Sequence, residues 1–109
     1  MRVLGIDPGS RVTGYSCLET AGSHVRLVAH GALRLSNSDE NASQQEQRLL
    51  RLYEELCAVI QTYRPDVLVL EKIFFAKNAA SALKLGQARG VVLLCAAKNG
   101  LMLFEYSAT

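Results

Sequence analysis

Two carboxylates stand where acids do chemistry. Asp7 closes the apolar run Val3–Ile6, and Glu71 closes Val67–Leu70. Runs that are apolar on both faces belong to buried, usually parallel strands, and ligands bind at the C-terminal edge of such sheets. On neighbouring strands ~4.8 Å apart the two acids converge. At ~4 Å they repel by ~4 kcal/mol at an effective dielectric of ~20. Either one takes a proton or a cation lies between them. Magnesium suits the place, because it favours carboxylate oxygens and shares its shell with substrate phosphates. Each acid also has a purely structural reading: Asp7-Pro8-Gly9 is a good turn sequence, and Glu71 could end its strand in water.

Metal ions held by carboxylates activate water and stabilise the leaving oxygen of an in-line phosphodiester displacement. The segment that follows fits such a substrate. From Lys72 to Lys98 there are five cations (Lys72, Lys77, Lys84, Arg89, Lys98) and no acid, whereas Asp39 to Glu71 holds seven acids against three arginines. Lys72, Lys77 and Lys84 can hold phosphates without reading sequence. Phe74-Phe75 lies directly beyond the acid and among these cations; an aromatic there can stack on an unpaired base, worth ~1–3 kcal/mol. Solvated helix charges and paired core phenylalanines are the ordinary alternatives, and charge alone leaves both open.

A chain of 109 residues, half apolar and a fifth charged, has the size and composition of one globular domain. It buries roughly 65% of its unfolded surface, enough for one core. The longest unbroken apolar run, Val91–Ala97, has seven residues, short of the ~18 of a membrane span. Met1–Asp7 carries an acid and lacks the pattern of a signal peptide, so the expected location is the cytoplasm. Cys17, Cys57 and Cys95 are isolated in sequence and odd in number, with no Cys-x-x-Cys spacing. They read as buried reduced thiols. His24 and His30 read as surface residues.

The elements that must position the acids follow from patterning. Val3–Asp7, Val12–Leu18 and Val25–Leu35 read as an antiparallel meander, broken by Pro8-Gly9 and Ala21-Gly22-Ser23. Ser43-x-x-Glu46 matches a capping box. Leu49, Leu52, Leu56, Val59, Ile60 and Tyr63 then form one apolar helical stripe, stopped by Arg64-Pro65. A second helix is predicted to start after Asn78 and run to about Lys98, with Asn99-Gly100 as its stop, and Leu101–Tyr106 is a last strand. The order βββαβαβ predicts an α/β fold in which the first, fourth and fifth strands are parallel.

The run LGIDPGSRVTGY (Leu4 to Tyr15) and the run KNAASALKLGQARG (Lys77 to Gly90), with Glu71 just before the second, strongly resemble the bacterial RuvC family of Holliday-junction resolvases. The likeness extends along the chain and is loosest from Ala21 to Tyr63. Strand-Gly-Ile-Asp-x-Gly-Ser alone also fits the phosphate loop of actin-like ATPases; the second block, with Phe74 three residues after Glu71, has no kinase equivalent. The resemblance implies a ribonuclease-H-like mixed five-stranded sheet and a magnesium-dependent endonuclease that cuts four-way junction DNA in recombination and repair. It implies a homodimer working beside branch-migration helicase proteins. Asp7 and Glu71 match two of the family's acidic metal ligands, and Phe74 the aromatic set against a junction base. Gly86 and Gly90, four residues apart, allow close approach, either of a second copy or of the chain's own sheet. The family carries its remaining ligands on a C-terminal helix that has no counterpart here, and Glu105 reads as a strand-surface residue. The expectation is therefore a single truncated domain over residues 1–109 that binds branched DNA without cutting it.

Overall fold

The computed structural model describes residues 1–9, 11–35, 44–72 and 78–107, with the side chains of Lys72 and Ser107 excepted. Seven elements follow one another: β1 (Arg2–Asp7), β2 (Val12–Ala21), β3 (His24–Arg34), α1 (Gln45–Tyr63), β4 (Val67–Lys72), α2 (Ala79–Lys98) and β5 (Met102–Ser107). They build one five-stranded sheet in the order β3-β2-β1-β4-β5. β1 pairs antiparallel with β2, and β2 with β3. β1, β4 and β5 run parallel, joined by the two helical crossovers. This is the mixed sheet that the element order predicts, and the ribonuclease-H-like arrangement that the resemblance implies.

Local chemistry sets the boundaries. At the end of α1, Arg64 takes a left-handed φ of 48° while its N–H still bonds Ile60 O at 2.8 Å, and Pro65 prevents continuation. α2 starts at Asn78, whose side chain accepts the Ser81 N–H at 2.9 Å. Gly100, at φ +69°, ends it. The start of α1 differs from the capping-box reading. Its N-cap is Gln44, which makes no side-chain cap bond, and Ser43 lies outside the described residues.

Strand alternation separates two faces. Leu4 and Ile6 of β1 and Leu68 and Leu70 of β4 are buried in one cluster with Leu52, Leu56, Val59 and Ile60 of α1 and Val92, Cys95 and Ala96 of α2. The other face carries an unbroken apolar row in register across all five strands: Leu27, Leu18, Val3, Val67 and Met102. Its edge is open to solvent, with Met102 65% and Phe104 49% exposed.

By length and composition, α2 is apolar enough to cross a membrane. It instead lays Ala88, Val92, Cys95 and Ala96 into the core and leaves Leu83 and Leu94 exposed at 63% and 58%. Among the described residues, a Cβ built on Gly86 or Gly90 meets nothing within 4 Å. Packing against the chain's own sheet therefore does not account for these two glycines.

Candidate active site

The register that brings the acids together is set at the far end of their strands. Arg2 N–H donates to Asp66 Oδ2 at 2.8 Å, and Asp66 N–H returns a bond to Arg2 O at 2.9 Å. The Arg2 guanidinium ties the same corner down, donating to Tyr63 O at 2.7 Å and to Glu19 Oε2 at 2.6 Å. That pairing holds the Glu19 carboxyl below its usual range, chiefly through the hydrogen bond from Arg2. From this clamp the strands advance in step through Val3 with Val67, Leu4 with Leu68, Gly5 with Val69 and Ile6 with Leu70. The next residue on each strand is Asp7 and Glu71. Ile6 and Leu70 point into the helical core, so by strand alternation the two carboxylates share the opposite face, one strand spacing of ~4.8 Å apart.

Asp7 is exposed and Glu71 half-buried. Tyr106 of β5 stands in register with Glu71, which extends the row to a third strand. Asp7, Tyr106, Ser16, Val69, Gly5 and Gly14 line an open cavity of ≈ 290 Å³. Gly14 is the residue paired with Asp7 on β2, and a Cβ there would sit 3.9 Å from Asp7 Cβ. No side chain crowds the carboxylate from that strand, and a substrate oxygen has access. Tyr15 also borders the cavity; its phenol is pushed above its usual range by burial and by neighbouring Tyr63, so it stays neutral at physiological pH.

The turn after Asp7 is anchored from below. Thr13 is fully buried, and its hydroxyl accepts from Gly9 N–H and donates to Gly9 O, both at 3.3 Å. A Cβ on Gly9 would stand 2.2 Å from the backbone oxygen of Val12, a contact that only a backbone shift relieves. Gly9→Ala is therefore expected to cost about 1–3 kcal/mol, read as a lowered urea midpoint. It should also shift the Asp7 amide resonance more than that of Glu71.

The other residues singled out in the sequence are distributed as follows. Lys84 is half-buried in the second turn of α2 and does not line the cavity. Phe74 and Lys77 lie outside the described residues, as does the Lys72 side chain. Glu105 corrects its reading as a strand-surface acid. It is half-buried, alternates onto the helical face beside Leu103, and forms an ion pair with Arg89 of α2. One of the five cations is thus engaged by this acid, and Glu105 is turned away from Asp7 and Glu71. Among the described residues no group of three or more His, Cys, Asp or Glu side chains gathers to hold a metal. Ser16 and Tyr106 were not found by sequence reasoning, because only the cross-strand register reveals them.

Comparison with known proteins bears on the same edge. A family model described as "Crossover junction endodeoxyribonuclease RuvC" matches residues 3–109. A curated crossover junction endodeoxyribonuclease RuvC from Geobacter metallireducens is 50% identical over 108 residues, covering 99% of this chain and 63% of that protein. The chain thus spans less than two thirds of the length of this relative. Among solved structures, Thermus thermophilus RuvC in complex with Holliday junction substrate superposes with a TM-score of 0.86 at 28% identity, covering 99% of this chain and 66% of that one. The fowlpox virus Holliday junction resolvase, at 14% identity, 98% coverage of this chain, 61% of that one and a TM-score of 0.63, shares the fold. The run Leu4 to Tyr15, which alone fits a phosphate-loop ATPase as well, lies inside the family match.

Proposed function

The chain belongs to the RuvC family of crossover junction endodeoxyribonucleases, and from that premise we propose that it is the junction-binding part of a Holliday-junction resolvase, with Asp7 and Glu71 as two ligands of a magnesium ion. The observation that carries this reading is the β1–β4 register, which sets both acids on one sheet face, with Asp7 lining an open cavity. The donor chemistry fits: two hard carboxylate oxygens with room for water and a phosphate oxygen are what magnesium takes. When bound, the ion polarises a phosphodiester and lowers the pKa of a water. Two protein ligands hold it weakly, so recognition of DNA and cleavage of DNA separate in this chain.

The chain's own residues do the rest. Asp7 and Glu71 concentrate negative charge where an electrophilic phosphorus must be attacked, and orient the attacking water. Gly5 and Gly14 leave space for the sugar-phosphate backbone. Tyr106 offers a phenol donor on the third strand. Lys72, Lys77 and Lys84 hold flanking phosphates, and Phe74 stacks on a base at the branch point. Gly86, Gly90, Leu83 and Leu94 supply a face on α2 for a second copy, giving a homodimer that works on both strands of a junction and alongside helicase proteins that migrate it.

A gel-shift and nicking assay with a four-way junction and magnesium tests this. The 109-residue chain is expected to bind the junction in preference to linear duplex and to leave it uncut. Symmetric nicking by this chain alone, or equal affinity for both DNAs, contradicts the reading. Binding should weaken steeply with salt, and Lys77→Ala should flatten the slope of log K against log [salt] by about 0.9, the share of one phosphate contact. An unchanged slope removes Lys77 from the phosphate track.

A further inference from the structure

Of three cysteines scattered through the sequence, two meet in space. Cys57 of α1 and Cys95 of α2 place their sulfurs 3.7 Å apart across the helix–helix contact, 38 residues apart in the chain. Both are free thiols. Their surroundings are unequal. Cys95 is fully buried and donates to Tyr53 O at 3.7 Å. Cys57 is half-buried, and its sulfur accepts the Asn99 side-chain N–H at 3.6 Å. The same Asn99 amide bonds Cys95 O at 2.8 Å, which keeps the end of α2 seated beside Cys57.

We propose that Cys57 and Cys95 form a thiol–disulfide exchange site that takes small-molecule disulfides such as oxidised glutathione and closes into a bridge between α1 and α2. Closing to the ~2.05 Å of a disulfide asks for under ~2 Å of approach, within the reach of side-chain rotation. Cys57 enters first: its sulfur attacks the small disulfide, forming a mixed disulfide and releasing one small thiol, which carries away the Cys57 proton. The Cys95 sulfur then attacks the Cys57 sulfur and displaces the second small thiol, which takes up the Cys95 proton. Two protein thiols are oxidised and one small disulfide is reduced. Burial, with Cys57 close by, pushes the Cys95 thiol up to about 12, so the second step is the slower one. Cys17 lies buried on β2 and takes no part.

The test is a time course of the intact chain with oxidised glutathione, quenched with acid and read by intact mass and peptide mapping. A glutathione adduct on Cys57 is expected first, giving way to a species lighter than the reduced chain by two hydrogens and mapped as a Cys57–Cys95 link. Cys95→Ser should stop at the adduct on Cys57, and Cys57→Ser should leave Cys95 unmodified. The linked form should melt higher by roughly 10 °C or more, since the bridge closes a long loop. A persistent adduct in the wild-type chain, a link through Cys17, disulfide-joined dimers, or a linked form that melts lower overturns the proposal. The wild-type peptide map decides it even if a serine variant fails to fold.

Discussion

Asp7→Asn is expected to abolish strand cleavage while leaving junction binding nearly intact. The expected measurement uses these 109 residues continued with the remaining third of the Geobacter metallireducens relative, whose matched part is 50% identical. Asparagine keeps the size of the side chain and one oxygen, but removes the charge that opposes Glu71 across the β1–β4 pair. Without that charge the reason for a cation between the two positions is gone. The loss in cleavage rate should be on the order of 10³-fold, the scale seen when one preorganised electrostatic group is removed from a transition state. Junction affinity should stay within about fivefold, moving if at all toward tighter binding, because a negative charge facing phosphates has been deleted. Normal cutting by the variant reduces Asp7 to a turn residue.

The largest effect on stability is expected at Leu68→Ala. Leu68 is 0% exposed, pairs with Leu4 on β1 and Leu103 on β5, and points into the cluster under both helices. Truncation there removes three carbons from a closed core and costs about 2–5 kcal/mol. A domain of this size commonly has only about 5–15 kcal/mol to lose. The urea midpoint should fall by about 1–3 M for a slope near 1.5 kcal/mol per molar. Val69→Ala is the control, because the neighbouring residue alternates onto the open face, where it is only half-buried. If Val69→Ala destabilises as much as Leu68→Ala, the two faces of the sheet have been assigned the wrong way round.

Much of this frame is legible in the residue pattern, for identifiable reasons. Arg64-Pro65 and Asn99-Gly100 encode helix ends through backbone sterics, and both hold. The apolar run Val67–Leu70 reads as a central strand, and β4 lies between β1 and β5; it is buried on the helical face at Leu68 and Leu70, while Val67 and Val69 on the other face are half-buried. Asp7 and Glu71 end equal counts of residues from the Arg2–Asp66 clamp, which is why their convergence follows from strand lengths alone.

What escaped the sequence depends on contacts between distant segments. The Arg89–Glu105 pair needs the packing of α2 against β5, and without it Glu105 reads as an ordinary surface acid. Cys57 and Cys95 are unrelated by any spacing rule, since their meeting is set by how two helices cross. Tyr106 joins the acidic row only through the β4–β5 register. The α1 start differs because a capping box is only a local preference, and the chain places Gln44 at the cap instead.

The most direct test is a magnesium titration of the chain followed by amide NMR at Asp7 and Glu71. A shared ion predicts that both resonances move along one binding curve, with a dissociation constant of roughly millimolar order, as suits two carboxylates completed by water. Asp7→Asn should then silence the response at Glu71 as well. Two independent curves, or a Glu71 response that survives the substitution unchanged, contradict the account.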